Sequence, residues 1–403
     1  MMKGLVNWID ARFPLISTWR RYASDYYVPK NLNFYYIFGS LALVVLFNQL
    51  LTGLWLTMFY TPTAADAFNS IEFIMRDVNY GWLLRYMHST GASAFFIVIY
   101  LHMFRGMLYG SYQKPRELVW ILGMFLFILL LAEAFFGYLL PWGQMSYWGA
   151  QVITSLFSAI PYVGDTLVTW IRGDFHVGNA TLQRFFALHV IAIPLLLLLI
   201  VFLHLVALHK VGSNNPEGID IKKCLDDKGR PLDGIPLHPY YTVKDFVGIL
   251  VFLIIFFAIV FFAPEMGGYF IEHANFTPAN LLETPEHIAP IWYMTPFYTM
   301  LRAIPDKLSG VVVMNASIFI LLFLPWLDKS RVRSMRYKGI FSKYALLALV
   351  MSFVMLGYLG TVSVTPMTLH LARFFTVIYF GYFLLMPFYT RYERFDFPPE
   401  RIQ

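Results

Sequence analysis

The chain has 403 residues, of which 58% are hydrophobic and 13% charged, and its formal net charge is +6 at pH 7. This composition excludes an ordinary soluble globular protein, in which about a quarter of the residues are charged, and the modest positive charge fits a membrane better than a nucleic acid as partner. The single cysteine, Cys224, excludes an intrachain disulfide framework, a four-cysteine iron–sulfur cluster and a C-x-x-C-H haem attachment.

The predicted elements are long apolar helices. Residues 1–33 form a basic amphipathic segment, which we expect at the membrane surface. A polar linker at 216–240 separates a four-helix domain at 34–215 from a second four-helix domain at 241–403. The sequence therefore predicts an all-α integral membrane protein with eight transmembrane helices. The predicted spans are roughly 36–60, 82–108, 118–140, 184–208, 245–263, 310–327, 342–361 and 367–389.

The charges of the loops predict the orientation of the chain. The loops at 209–244 and 328–341 are basic, whereas the loop at 264–309 is acidic. Because basic loops stay on the cytoplasmic side, we expect both termini in the cytoplasm. The outer segment 137–165 keeps apolar residues at helical spacing between its glycines and prolines, which predicts amphipathic surface helices there. Together with the outer loop 264–309, it is expected to form a lid or pocket.

Four histidines lie inside two of these spans. His88 and His102 are fourteen residues apart, which places them on one face of a helix and about 21 Å apart along it. His189 and His204 are fifteen apart and still share a broad face. Paired across the two helices, they predict two bis-imidazole haems stacked through the membrane. The alternatives are hydrogen-bonded packing histidines, or a zinc or copper site, which requires three or four ligands close together.

Glycines and arginines support the haem interpretation. Two other spans carry glycines at the same interval of fourteen, where a flat porphyrin requires a missing side chain; packing of membrane helices is the alternative explanation. Arginines flank the histidines, and a guanidinium matches a haem propionate well, although interface anchoring would also explain them. The glycines are Gly39, Gly53, Gly123 and Gly137, and the arginines are Arg85, Arg105 and Arg184.

Several motifs resemble cytochrome b of the respiratory cytochrome bc complex, over nearly the whole chain. They are FGS at 38–40, RYMH at 85–88, GYLLPWGQMSYWGA at 137–150, RFFALH at 184–189, HKVGSNNP at 209–216 and HPYYTVKD at 238–245. The resemblance implies eight transmembrane helices, of which the first four bind two non-covalent b haems. It implies quinol oxidation at an outer pocket and quinone reduction at an inner one, with proton translocation. The implied partners are a Rieske iron–sulfur protein, a cytochrome c-type subunit and a second copy of the complex, in a bacterial inner membrane.

The resemblance also assigns residues. His88 and His189 would bind an outer, low-potential haem, and His102 and His204 an inner, high-potential haem. The outer quinol pocket would use Phe135, Tyr138, Gly149, Pro290, Ile291, Trp292, Tyr293 and Tyr298. The inner quinone pocket would use Ser40, His209, Ser213, Lys244 and Asp245, of which His209, Lys244 and Asp245 are suited to supply protons.

Two positions depart from the family pattern. The usual Pro-Glu-Trp-Tyr motif has Ile291 in place of the glutamate that is thought to accept a proton from quinol. Either the proton leaves through water and Tyr138, or another group replaces the glutamate, and we hypothesise that Glu286 or His287 does so. The spacing from His189 to His204 is fifteen rather than fourteen, and Pro194 between them is expected to permit a helical bulge that takes up the additional residue.

Three alternatives remain at the level of sequence. A plastoquinol-type cytochrome b–f relative shares the fifteen-residue spacing, but there the two halves are usually separate chains. A proton-coupled transporter would use the histidines as a relay and does not explain the glycines. A structural membrane anchor does not require paired histidines at two depths.

Overall fold

The computed structural model describes residues 2–402. It confirms the eight predicted spans, each long and apolar enough to cross a bilayer. They are Phe34–Thr57, Gly81–Tyr109, Glu117–Leu139, Asn179–Val211, Leu237–Phe262, Lys307–Leu327, Ile340–Thr361 and Pro366–Tyr392. We number them as the first to the eighth span.

The spans pack in neighbouring pairs. The first span lies along the second, and the third along the fourth, which together form the first half of the molecule. The seventh and eighth spans pack against each other, and the fifth lies against the second. A buried aromatic core that includes Phe96, Phe127 and Phe383 joins the two halves. The outward faces carry exposed apolar side chains such as Leu199 and Phe202, as helices that contact lipid require.

Short elements lie between the spans. Those before and after the first span are the helices Met2–Asp10, Leu15–Trp19 and Ala67–Arg76. The outer segment after the third span forms two helices, Gln144–Ser155 and Gly164–Arg172. The first lies within the predicted segment 137–165, whereas the second begins at its end and continues beyond it. The loop after the fifth span contains the helix Thr295–Arg302.

The fourth span is not a uniform α-helix. It consists of the α-helix Asn179–Ala187, a π-helical turn at Leu188–Ala192 and the α-helix Ile193–Val211. The π-helical turn contains His189 and ends just before Pro194, which lacks the backbone N–H that an α-helix would use there. A π-helical turn holds one more residue than an α-helical turn. The predicted bulge is therefore present, and it takes up the fifteenth residue of the histidine spacing.

The polar linker is packed against both ends of the chain. Its strand Gly234–Pro236 pairs in antiparallel register with Tyr27–Pro29 of the N-terminal segment. Asp233, almost fully buried, binds Lys30 at 3.3 Å and Arg401 at 2.7 Å. These contacts join the N-terminal segment, the linker and the C-terminal tail in one layer on the predicted cytoplasmic side.

A buried ion pair stabilises the turn between the sixth and seventh spans. The Asp328 carboxylate accepts hydrogen bonds from the Lys338 ammonium, from the Tyr112 hydroxyl at 2.6 Å and from the Gln113 amide at 2.7 Å. The side chains of Asp328 and Lys338 are 0% and 2% exposed. Burial alone would raise the pKa of Asp328, but the Lys338 charge and these hydrogen bonds outweigh it and lower that pKa.

We expect Asp328→Ala to reduce the free energy of unfolding by about 3–5 kcal/mol, because it leaves the Lys338 ammonium buried without a counter-charge. The thermal midpoint of the detergent-solubilised protein, followed by circular dichroism, measures this. Since the folded pKa of Asp328 lies below its ordinary value of 3.8, its contribution is complete above roughly pH 4 and is lost as the pH falls further. Asp227→Ala, at an exposed position, is the control, and equal midpoints for the two variants would contradict the prediction.

Candidate functional site

The four histidines face each other in two pairs. The ring centroids of His88 and His189 are 6.1 Å apart, and those of His102 and His204 are 6.4 Å apart. A metal–imidazole bond is about 2 Å long, so two imidazoles on opposite sides of one iron have centroids roughly 6 Å apart. The observed separations fit one iron between each pair. Within residues 2–402, no cluster of three or more His, Cys, Asp or Glu side chains that could hold a metal ion is found.

Polar neighbours orient three of these rings. The Nδ1 atom of His88 lies 2.9 Å from the Thr52 hydroxyl, and that of His102 lies 3.2 Å from Nη2 of Arg105. The Nδ1 atom of His189 lies 3.0 Å from both the backbone carbonyl and the carboxylate of Glu133. Such contacts at one ring nitrogen leave the other directed toward a metal.

Each of the four predicted glycines lies against one of the histidines. A Cβ atom on Gly39 would be 3.4 Å from the His102 ring, one on Gly53 3.1 Å from His88, and one on Gly123 3.3 Å from His204. A Cβ atom on Gly137 would overlap the His189 ring. The glycines of the first and third spans therefore give space to the imidazoles of the second and fourth. Contact with a predicted ligand imidazole is a more specific role for these glycines than general packing between helices.

A cavity of about 670 Å³ surrounds the outer histidine pair. His88, His189, Gly53, Gly137 and Arg85 all line it. The cavity is the size of a typical pocket for a cofactor. Its opposed imidazoles, its glycine walls and its arginine together fit a bis-histidine haem.

The three predicted arginines lie in different surroundings. Arg85 lines the outer cavity, and Arg105 lies beside His102 with its guanidinium 4.8 Å from the centre of the Tyr36 ring. Arg184 is exposed and donates a hydrogen bond to the Trp170 carbonyl, and it does not line the outer cavity. The structure thus places two of the three arginines where a haem propionate could reach them.

A small pocket adjoins the outer cavity, and five predicted outer residues line it. These are Phe135, Tyr138, Gly149, Pro290 and Ile291, together with Ala134, Ile153 and Met294. Tyr138, Ala134 and Ile291 line both spaces, so the small pocket meets the cavity of the outer histidine pair there.

The other predicted outer residues surround this pocket without lining it. Tyr293 lines the larger cavity, and Trp292 donates a hydrogen bond to the Ser93 hydroxyl at 3.1 Å. Tyr298 donates to the backbone carbonyl of Ile288 at 3.0 Å. We interpret Trp292 and Tyr298 as residues that hold the loop in place around the pocket.

The structure does not bring Glu286 or His287 to this pocket. Glu286 is exposed, and His287 is half-buried and lines neither space. Burial and the nearby Arg302 charge lower the pKa of His287. A different carboxylate, Glu272, accepts a hydrogen bond from the Tyr138 hydroxyl. Burial raises the pKa of Glu272 to about 7, although the hydrogen bond from Tyr138 opposes that rise.

The inner residues form two groups. The Ser40 hydroxyl donates to the Asp245 carboxylate at 2.7 Å, and the exposed Lys244 is adjacent to Asp245 in the chain. His209 packs against the Tyr26 ring, with centroids 4.7 Å apart, and the backbone carbonyl of Ser213 accepts a hydrogen bond from Arg116. No hydrogen bond between these two groups is present among residues 2–402.

Sequence reasoning missed three residues that the structure places at the outer site. Glu133 could have been found, because an ionisable residue within a membrane span is a functional candidate by default. Thr52 carries no such signal, since hydroxyl residues are frequent in membrane helices. Glu272 is one of several acidic residues in the outer loop, and the residues around it in the sequence do not distinguish it from the others.

Comparisons with known proteins agree with this geometry. A family model described as cytochrome b/b6/petB matches residues 23–212, and one described as cytochrome b (C-terminal)/b6/petD matches residues 278–380. The chain is 59% identical to cytochrome b of Allochromatium vinosum, covering 98% of both chains. It is 51% identical to cytochrome b of Rickettsia prowazekii, covering 97% of this chain and 95% of that one. A solved structure described as a hyperthermophilic respiratory complex III superimposes with a TM-score of 0.89 at 39% identity, covering 96% and 99% of the two chains.

Proposed function

The chain belongs to the cytochrome b family, and from this premise we propose that it couples quinol oxidation at its outer pocket to quinone reduction at its inner site. A cytochrome b of this kind is the core subunit of quinol–cytochrome c reductase. The chain is therefore a multi-pass membrane protein that binds b-type haem and acts on quinones within a multisubunit respiratory complex. Family membership rules out the transporter and anchor alternatives.

The observation that carries the proposal is the pair of facing imidazoles at each of two positions along the second span. His88 and His189 would hold an outer, low-potential haem, and His102 and His204 an inner, high-potential one. When bound, these haems supply one-electron transfer between the two quinone sites. The 29-residue helix Gly81–Tyr109 sets the distance between the two positions, about 21 Å along its axis.

At the outer site, the chain's residues orient the quinol and exclude water. Phe135, Pro290 and Ile291 provide apolar walls, and among the described residues that line the pocket Tyr138 is the one with a polar side-chain group. The small pocket has a volume of about 10 Å³ in this structure, so it would widen to admit a quinol ring, whose orientation its walls would then fix. A quinol held in this way would lose its electrons and its protons from one fixed position.

At the inner site, the chain's residues supply protons, because reduction of a quinone to quinol consumes two. Asp245, held by the Ser40 hydroxyl at 2.7 Å, is a group of the right chemistry. His209 is a second, and Lys244 lies exposed beside Asp245. Uptake of protons here and their release at the outer pocket would translocate charge across the membrane.

The remaining assignments follow from the same premise. We infer a Rieske iron–sulfur protein and a cytochrome c-type subunit as partners, and a homodimer of the complex. The basic loops and the family's bacterial members support a bacterial inner membrane with both termini in the cytoplasm.

A variant at the inner site tests the proposal. We expect Asp245→Asn to slow reoxidation of the inner haem by quinone by roughly 10²-fold, because an amide does not deliver a proton. The first reduction of haem by quinol at the outer pocket should be unchanged. Stopped-flow absorbance of the purified complex resolves the two steps.

Asp227→Asn makes the same chemical change at an exposed position on the same side and should behave as the parent protein. Equal rates of inner reoxidation in Asp245→Asn and Asp227→Asn would contradict the assignment of Asp245.

A further inference from the structure

The outer pocket lacks an acidic group where its family has one. Ile291 occupies that position and is 8% exposed, in contact with the aromatic core between the two halves. An isoleucine neither accepts nor donates a proton. Quinol that binds in this pocket must therefore lose its proton to a group on another element.

Tyr138 lines both the small pocket and the outer cavity, and the hydrogen bonds of its hydroxyl have a direction. The Asn275 amide donates to the Tyr138 oxygen at 3.1 Å, and the Tyr138 hydroxyl in turn donates to Oε2 of Glu272. The backbone N–H and the hydroxyl of Ser146 both donate to Oδ1 of Asn275, at 2.7 and 3.0 Å. These bonds leave the Asn275 amide group only its donor end for Tyr138. The tyrosine proton is thus held pointing at Glu272.

Glu272 belongs to the outer loop that follows the fifth span. It follows Phe270 and Ile271, which line the outer cavity, and it is half-buried. Besides burial, the hydrogen bond from Tyr138 acts on the pKa of Glu272, and the Glu272 charge in turn raises the pKa of Tyr293. The neighbouring His273 faces a different carboxylate, Glu265, at 3.6 Å. No ion pair to Glu272 is present among the described residues, so no salt bridge holds it in its charged form.

We propose that Glu272, acting through Tyr138, is the proton acceptor of the outer quinol pocket and takes the place of the glutamate that Ile291 removes. The inference rests on the proposed function, in which quinol is oxidised at this pocket. An O–H bond of the quinol breaks and a new O–H bond forms at Tyr138, while the original tyrosine proton moves to Oε2 of Glu272. The second quinol proton leaves with the iron–sulfur partner, and the two electrons leave to the acceptors of the quinol–cytochrome c reductase.

The chemistry of the acceptor matches this step. Burial raises the pKa of Glu272 to about 7, close to the pH at which the enzyme would work. A general base is most effective when its pKa is near the operating pH. Once protonated, the half-buried carboxyl of Glu272 can release its proton to the outer aqueous side. The quinone product has no O–H group, so it supplies no further proton to Glu272.

The test is the rate of quinol oxidation by the purified complex, with cytochrome c as acceptor, from pH 5.5 to 9. In the parent protein the rate should rise through a pKa near 7, because Glu272 accepts a proton only when it is ionised. Glu272→Gln should lower kcat about 100-fold at pH 7 and abolish that rise, with KM little changed. Tyr138→Phe should produce the same loss, and Glu272→Asp should retain a rise with pH.

Glu286→Gln is the matched control, since it makes the same change at an exposed glutamate of the same loop. It should leave the rate and the profile unaltered, as should His287→Ala. The proposal is overturned if Glu272→Gln keeps the parent rate and pH profile, or if the loss occurs in Glu286→Gln or His287→Ala instead. An intact reduced haem spectrum in Glu272→Gln separates a lost proton acceptor from a misfolded subunit. Failure of the proposed function is a different result, in which quinol does not reduce haem in the parent protein at any pH.

Discussion

Replacing His88 with leucine should remove one haem from each copy of the chain and abolish quinol oxidation. His88 and His189 face each other across the outer cavity with ring centroids 6.1 Å apart, and leucine has no atom that can bind iron. The inner pair, His102 and His204, is separate and should keep its haem. A pyridine haemochrome assay with haem counted per chain should fall from two to one, and a redox titration should lose its low-potential component.

The matched experiments use the remaining histidines. His102→Leu should lose the other, high-potential component and keep the outer one. His176→Leu, in an exposed outer loop, should retain both haems and full activity. Two haems per chain in His88→Leu would refute the assignment of this residue, and no haem in the parent protein would refute the paired-ligand interpretation as a whole.

Gly137→Val should also remove the outer haem, although it changes no ligand. A Cβ atom at Gly137 would overlap the His189 ring, so the imidazole must leave its present position. Gly137 is part of the third span and His189 is part of the π-helical turn of the fourth, which packs against it, so the displaced imidazole would no longer face His88. We expect the haem count to fall from two toward one and the activity to be lost.

Gly381→Val is the control for this substitution. Gly381 also lies inside a span, and a Cβ atom there would meet nothing within 4 Å. Any general effect of valine in place of glycine in a membrane helix should therefore appear in both variants, whereas loss of the outer haem should appear in Gly137→Val alone. Normal haem content in Gly137→Val would contradict the prediction, because it would show that the third and fourth spans can move apart enough to accept the valine side chain.

The eight spans, the paired histidines and the glycines opposite them follow from local patterns. Apolar length identifies a membrane helix without reference to its neighbours. The helical repeat then places residues fourteen apart on one face, so His88 with His102, and Gly123 with Gly137, could be aligned before any packing was known. Pro194 and the fifteen-residue interval indicated the π-helical turn in the same way.

Arg184 shows the limit of such reasoning within a helix. It lies five residues before His189, which is about 140° around an ordinary α-helix, so the two do not share a face. Closeness in sequence is a poor guide to the side of the helix, and the exposed arginine does not line the outer cavity.

The proton acceptor depended on packing that no local pattern encodes. Glu286 and His287 are near Ile291 in the chain, and the sequence favours them for that reason, but the irregular loop places neither of them at the pocket. Glu272 and Tyr138 are 134 residues apart, and they meet only because the loop after the fifth span folds over the end of the third. A helix repeats its geometry at every turn and can be extrapolated from its residues. The path of a loop is set by the surfaces on which it packs, and these exist only once the spans have assembled.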